Sequence, residues 1–142
     1  MVNRKILEDT PFFSEDEKFV TAEDYHLWLK LAKHNVRFGF LDQILGKCRI
    51  HEGNNSGFPI KNMMAVKSVF TDYYDKIKNP SLKIKILAWR RLAIIEYSGA
   101  RGLQRNREHF RALITFIKAI ARWPFIPKFY LAFLFNIFHL KL

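Results

Sequence analysis

Apolar residues recur at three- and four-residue spacing through nearly all of the second part of the chain, and this periodicity limits the possible folds more than any other feature. The pattern predicts helices over residues 60–78, 81–99 and 103–122. The second helix begins at an Asn79-Pro80-Ser81 signal, and the third ends before Pro124. A further apolar segment follows Pro127. We therefore expect a mainly α-helical C-terminal region.

An earlier amphipathic helix is predicted to begin near Thr21, in the stretch TAEDYHLWLKLAKHN. Its periodicity predicts an apolar side of Leu27, Trp28, Leu31 and Ala32, with His26, Lys30 and Lys33 on the opposite side.

Two carboxylates, Glu23 and Asp24, stand at the start of this helix. One explanation is structural, because Thr21 followed three residues later by Asp24 fits a capping box. The other is chemical, because a carboxylate on the first turn of a helix with one buried face points out of the scaffold and suits a general base. The two roles are compatible, and both stay open at this point.

Two short strands are predicted after the helix. Residues 36–42, VRFGFLD, alternate apolar residues in one register, and residues 44–50, ILGKCRI, form a mixed apolar run. The segment 51–59, HEGNNSGFP, is rich in turn residues and indicates a loop and a boundary. The predicted fold is an α/β remnant within residues 1–56, with one helix and two short strands, followed by the helical region over 57–142.

The net positive charge of the chain comes entirely from its second part. Residues 1–56 hold 8 Lys and Arg against 9 Asp and Glu, whereas residues 57–142 hold 16 against 4. This asymmetry indicates a polyanionic partner, either an anionic membrane surface or nucleic acid. The aromatic residues of the tail, together with the lack of a recognisable nucleic-acid motif, favour the membrane. The single cysteine, Cys48, excludes an internal disulfide.

The apolar core of the last segment, Phe129 to Leu140, has about twelve residues, fewer than the roughly twenty that cross a bilayer. Lying in the membrane interface and packing on a partner subunit are two explanations that stay open. The first residues carry scattered charges and do not form a secretory signal. We therefore expect a cytoplasmic protein that is peripheral on the cytosolic face of the membrane.

The stretches TAEDYHLWLKLA and VRFGFLDQILGKCRIHEGNNS, in this order, resemble the closing segment of the catalytic domain in family 2 inverting glycosyltransferases of the GT-A type. The upstream stretch VNRKILEDTPFFSEDEKF is similar to the family as well, so the resemblance covers residues 2–56. It implies a transferase that moves a sugar from a nucleotide-sugar donor to an acceptor hydroxyl, in the synthesis of a cell-surface polysaccharide or glycolipid.

The resemblance also implies roles at the start of the helix. Asp24 matches the general base that takes the proton from the acceptor hydroxyl. Glu23 matches its neighbour, which is structural or contacts the acceptor. Trp28 lies one turn after Asp24 and would line the acceptor pocket, although a Trp in an amphipathic helix is also an ordinary core residue.

A second set of residues is implied at the donor. His51 matches the histidine near the donor diphosphate and its divalent metal, Mg or Mn, and is a tentative metal ligand. Arg49, Asn55 and Ser56 flank it in the same donor-proximal loop. The alternative for His51 is an ordinary loop residue, because a lone histidine is a weak metal signal.

One feature of the family is missing, because no Asp-x-Asp motif occurs in the chain. The nucleotide-binding half of the family is thus expected to be absent, so this chain alone is expected to bind no metal and to be catalytically silent. The alternative function is a non-catalytic basic helical module that binds an anionic membrane surface or nucleic acid. Donor sugar, acceptor and oligomeric state are not encoded in any motif that we identify.

Overall fold

The structure, a computed structural model, describes residue 6 and residues 13–34, 36–47 and 58–139. Within these residues it contains a 3₁₀ turn, Glu17–Phe19, and five α-helices. The helices are α1 (Glu23–Lys33), α2 (Pro59–Tyr74), α3 (Leu82–Arg105), α4 (His109–Arg122) and α5 (Pro127–Ile137). The central helix is α3, because it packs against α2, α4 and α5.

The core forms where the helices approach closely through small residues. Two clusters join α3, α4 and α5, and they centre on the fully buried rings of Phe116 and Phe129. Alanines surround these rings, namely Ala93, Ala100, Ala112, Ala119 and Ala132. A third cluster, Phe19, Ala22, Ala65 and Val69, joins the 3₁₀ turn and the residue before α1 to α2. The 3₁₀ turn and the start of α1 are therefore held against α2.

The predicted α/β remnant is wrong, because the described residues contain no strand. Residues 36–47, which include all of the first predicted strand and part of the second, have neither helical nor strand structure. All of their large apolar side chains except that of Val36 are exposed, with Phe40 92% and Ile44 96% exposed. An alternating pattern forms a strand only where a second segment satisfies its backbone groups, and no described segment pairs with this one. Residues 48–50 lie outside the described part.

The predicted start of α3 is confirmed. Ser81 is its N-cap, and its hydroxyl accepts a hydrogen bond from the backbone N–H of Ile84 at 3.4 Å. Asn79 adopts a φ of 51° in the preceding turn, a conformation that Asn tolerates better than most residues. The helix before this turn, α2, ends at Tyr74, four residues earlier than predicted.

The predicted break between 99 and 103 is wrong, because α3 continues through Gly99 and Gly102 to Arg105. Both glycines face α2: a Cβ on Gly99 would collide with Met63, and one on Gly102 would collide with Pro59. The glycines therefore allow two helices to approach closely. The chain turns later, at Arg107, whose φ is 62° and whose backbone N–H donates to the carbonyl of Gln104.

Candidate functional site

The start of α1 carries the predicted catalytic pair. The N-cap is Ala22, and it makes no side-chain capping bond, so the predicted capping box is wrong. Thr21 lies one residue too early and has a φ of 83°, which is incompatible with the extended backbone of an N-cap. The carboxylate of Asp24 is exposed, and its Oδ1 accepts a hydrogen bond from the backbone N–H of Tyr25 at 2.6 Å.

Two polar atoms beside Asp24 lack partners. Within the described part of the chain, Oε2 of Glu23 and Oγ1 of Thr21 are buried without a hydrogen bond. A positive φ is also uncommon for a β-branched residue such as Thr21. Strained backbone and unsatisfied polar groups often occur at functional sites, because the surrounding structure must hold them in place. The first turn of α1 is therefore a candidate site on structural grounds as well.

Trp28 lies outside the core, contrary to the predicted apolar side of α1. Its side chain is 42% exposed and contacts Phe38 edge-to-face, with ring centroids 6.2 Å apart. Ala32 is also exposed, whereas Leu27 and Leu31 are buried as predicted. Residues four apart share one side of a helix, so exposed Asp24 and exposed Trp28 can be reached from the same direction.

His26 is buried, although the helical pattern placed it on the solvent side. Its ring stacks on Phe19 at 4.3 Å and meets Tyr73 edge-on at 5.6 Å. Burial lowers the pKa of His26 below its usual value, and the positive charge of Lys30 lowers it further. The sequence missed this contact because both aromatic partners come from other elements, the 3₁₀ turn and α2.

The implied donor site cannot be located in the same way. His51, Arg49, Asn55 and Ser56 all lie outside the described residues. Among the residues that are described, no three His, Cys, Asp or Glu side chains converge as a metal site would require. Of the implied sites, only the start of α1 therefore lies within the described residues.

The outward side of α5 is apolar or aromatic apart from Lys128. Tyr130, Leu131, Leu134 and Ile137 are exposed, and so is Phe138 directly after the helix. The opposite side, with Phe129, Ala132 and Asn136, is buried against the rest of the protein. The only charged residue in α5 is Lys128. Apolar residues at this spacing form a continuous stripe along the helix, and we call these five exposed residues the α5 stripe.

The preceding helix, α4, has a mixed outward side. Phe110, Ile114 and Ile117 are exposed at helical spacing. Arg111 and Lys118 flank them and are also exposed. An apolar stripe with cations at its edge is typical of helices that lie in a membrane interface. Over the residues that the structure covers, no helix has both the length and the apolar content needed to span a bilayer.

Comparison with known proteins gives no further identification. No protein-family model matches the chain, and neither curated proteins nor solved structures gave a match.

Proposed function

We propose that residues 57–142 form a basic helical module that docks this chain on an anionic membrane surface. The observation that carries the proposal is the α5 stripe, an apolar surface on a helix of 11 residues. Such a helix is about 16 Å long, roughly half of the 30 Å hydrocarbon core, so it would lie in the interface. Burying five large apolar side chains among acyl chains would then be the main favourable contribution.

Electrostatic attraction between the basic residues and an anionic membrane would also favour docking. Residues 57–142 carry 16 Lys and Arg against 4 Asp and Glu. Each cation near an anionic leaflet contributes about 1 kcal/mol, and this contribution falls off within a Debye length. Lys118 is exposed beside the apolar residues of α4, and Lys128 stands at the start of α5. Docking would therefore be peripheral and would weaken as salt is added.

Co-sedimentation with liposomes tests this proposal. We expect the chain to bind vesicles that contain phosphatidylserine and to bind neutral phosphatidylcholine vesicles at least tenfold less. Leu134→Asp should abolish binding, because it places a charge in the α5 stripe. Leu82→Asp is the matched control, since Leu82 is 74% exposed at the far end of α3 and should not contribute.

Two results would contradict membrane docking. One is equal binding of the parent chain and Leu134→Asp to anionic vesicles. The other is tight, salt-dependent DNA binding in a gel-shift assay without vesicle binding, which would favour the nucleic-acid alternative because phosphate backbones attract Lys and Arg equally well.

As a second candidate function, we propose that the first part of the chain is the acceptor-side segment of a glycosyltransferase-type enzyme. The specific observation in favour is the shared accessibility of Asp24 and Trp28, beside the unsatisfied carboxylate oxygen of Glu23. In this role Asp24 would accept the proton of an acceptor hydroxyl, and Trp28 would stack on a sugar ring. Binding of a nucleotide-sugar donor and its divalent metal would require groups other than Asp24, Trp28 and Glu23.

Ligand binding by the purified chain tests the second candidate. We expect UDP-sugars to bind more weakly than micromolar affinity. We also expect NMR saturation transfer from Trp28 to an acceptor oligosaccharide. Trp28→Ala should remove the transfer, whereas Phe38→Ala should reduce it only partly because Phe38 supports the indole from one edge. Micromolar donor affinity would contradict the expected silence of this chain, and absence of any contact between sugars and Trp28 would contradict the acceptor role.

A further inference from the structure

An apolar groove of about 600 Å³ lies between α1, the end of α2 and the start of α3. Its volume falls within the range of roughly 300–1,000 Å³ that is usual for small-molecule sites. Four aromatic rings line it, those of Tyr25, Phe70, Tyr73 and Tyr74. No helix of the described structure covers this groove, although it is lined mainly by groups that gain from leaving water.

The α3 wall of the groove is aliphatic. Ile84, Leu87 and Ala88 line it at helical spacing, and Leu87 is 52% exposed. Leu29 and Ile77 complete the aliphatic lining from the other elements. A long, flexible hydrocarbon would contact these side chains along the length of the groove.

Among the described residues, the charged side chains that line the groove are all cations, namely Lys33, Lys76 and Arg91. The Nη2 of Arg91 donates to the hydroxyl of Tyr25 at 3.2 Å and leaves its other N–H groups available. Lys76 is paired with Asp72 at 2.6 Å. Lys33 and Arg91 have no carboxylate partner among the described residues. Two positive charges therefore border an apolar surface without a counter-ion from the described chain.

Lys33 lies where the groove meets a second cavity. Lys33 also lines a second, smaller cavity beside His26 and His34, together with Lys30 and Lys76. Asp72 lines this second cavity as well and pairs with Lys76, so the uncompensated positive charge where the two cavities meet is that of Lys33. The interior of the larger groove is aromatic and aliphatic. An apolar interior next to a cationic rim is complementary to a molecule with a hydrocarbon chain and an anionic head.

We propose that this groove binds a single-chain anionic amphiphile, a linear alkyl chain with a carboxylate or phosphate head. The chain would lie between Leu87 and the aromatic rings, and the head would contact Lys33 at the rim. This inference is independent of the proposed membrane docking, because the groove is built on α1, α2 and the first half of α3, whereas the α5 stripe is on another helix.

Calorimetric titration of the full chain with soluble amphiphiles tests the proposal. The probes are laurate and dodecyl phosphate, each kept below its micellar concentration, with dodecyltrimethylammonium as the cationic probe of equal chain length. We expect micromolar binding of both anions with one site per chain, and at least tenfold weaker binding of the cation. Equal affinity for the anions and the cation would overturn the proposal, and so would the absence of binding.

Paired variants locate the site. Leu87→Asp should weaken laurate binding at least tenfold, whereas Ile86→Asp should not, because Ile86 is similarly exposed on the same helix but does not line the groove. Lys33→Glu should weaken laurate binding about tenfold. Lys61→Glu, near the start of α2 and away from the groove, should leave laurate binding unchanged. Circular dichroism of each variant confirms that the helices are intact. Equal effects of either variant and its control would overturn the assignment.

Further measurements distinguish amphiphile binding in the groove from membrane docking and from dimerisation through the groove. Leu134→Asp should keep full laurate binding while it loses vesicle binding, so failure of one proposal is distinguishable from failure of the other. If light scattering shows that the parent chain is a dimer, that Leu87→Asp is a monomer, and that laurate does not bind, the groove is covered by a second copy and the proposal fails. Binding to vesicles only, with no binding of monomeric anions, would also overturn it.

Discussion

Arg122 makes two hydrogen bonds to Glu96, from Nε to Oε2 and from Nη2 to Oε1, each 3.0 Å long. This pair joins α4 to α3 at a position where Glu96 is buried, and the guanidinium also lies over the ring of Trp89. Lys67 of α2 approaches the same carboxylate at 3.9 Å. A buried carboxylate requires such partners, because the cost of removing its charge from water is several kcal/mol.

The first prediction is that Arg122→Met lowers the free energy of unfolding by about 3–5 kcal/mol, because it leaves Glu96 charged and buried without its main partner. Urea denaturation at neutral pH measures the change. The control is Arg111→Met, which removes an exposed pair with Glu108 and should cost less than about 1 kcal/mol. A similar loss in both variants would contradict the prediction.

The second prediction concerns pH and His26. Burial keeps the pKa of its folded form below the value of about 6.5 that is usual for histidine, so the neutral ring is favoured in the folded state. As the pH falls below about 6.5, the unfolded chain takes up a proton at this position before the folded chain does, and stability decreases until the folded pKa is reached. Above that range the contribution is fully present.

The pH dependence of urea denaturation in parent and variant checks this sign. His26→Phe should flatten the acid-side slope, whereas His34→Phe, at an exposed position, should leave it unchanged. Four charged groups act on the ring and stay in place in both variants, namely Lys18, Lys30, Asp72 and Lys76. An unchanged slope in His26→Phe would show that the acid sensitivity arises elsewhere.

The third prediction contrasts the two glycines of α3. Gly102→Ala should destabilise the protein by about 1–3 kcal/mol, because the rigid ring of Pro59 cannot move away from the added methyl group. Gly99→Ala should cost less, since the side chain of Met63 is flexible and alanine favours the helix by up to about 1 kcal/mol. Thermal unfolding compares the two, and a larger loss for Gly99→Ala would contradict the argument.

The fourth prediction concerns Asn136, which fastens α5 to the start of α4. Its Nδ2 donates to the carbonyl of His109 at 2.9 Å, and its Oδ1 lies 3.1 Å from Nδ1 of the same residue. Asn136→Leu should cost about 1–3 kcal/mol, because it removes both polar contacts with His109 at a buried position. Urea denaturation measures the free energy of unfolding. The control is Asn62→Leu at an exposed position, whose free energy of unfolding should stay within about 0.5 kcal/mol of the parent's.

The helix starts were predictable where a local signal sets them. Ser81 caps α3 through a bond to an amide three residues away, so this start depends on neighbouring residues alone. The capping box at Thr21 failed although its residues are equally local. Its backbone has a positive φ, and the adjacent Ala22 packs with Phe19 against α2. Tertiary packing overrode the local preference there.

The candidate site was predictable only in part. The pair of carboxylates at the start of α1 is evident from the sequence, and so is the basic character of the helical region. Whether Trp28 is core or surface depends on which side of α1 meets α2, and helical periodicity cannot distinguish two adjacent sides that are both apolar. The groove beside Leu87 has no sequence signal, because its walls come from three separate helices.

By itself, the sequence determined that the second part of the chain is helical, that a helix begins at Ser81, and that the net positive charge lies after residue 56. These properties follow from neighbouring residues and composition. Only the tertiary structure decided that residues 36–42 form no strand, that Gly99 and Gly102 lie inside a helix, and that His26 is buried. Each of these depends on a contact, present or missing, with a segment far away in the chain.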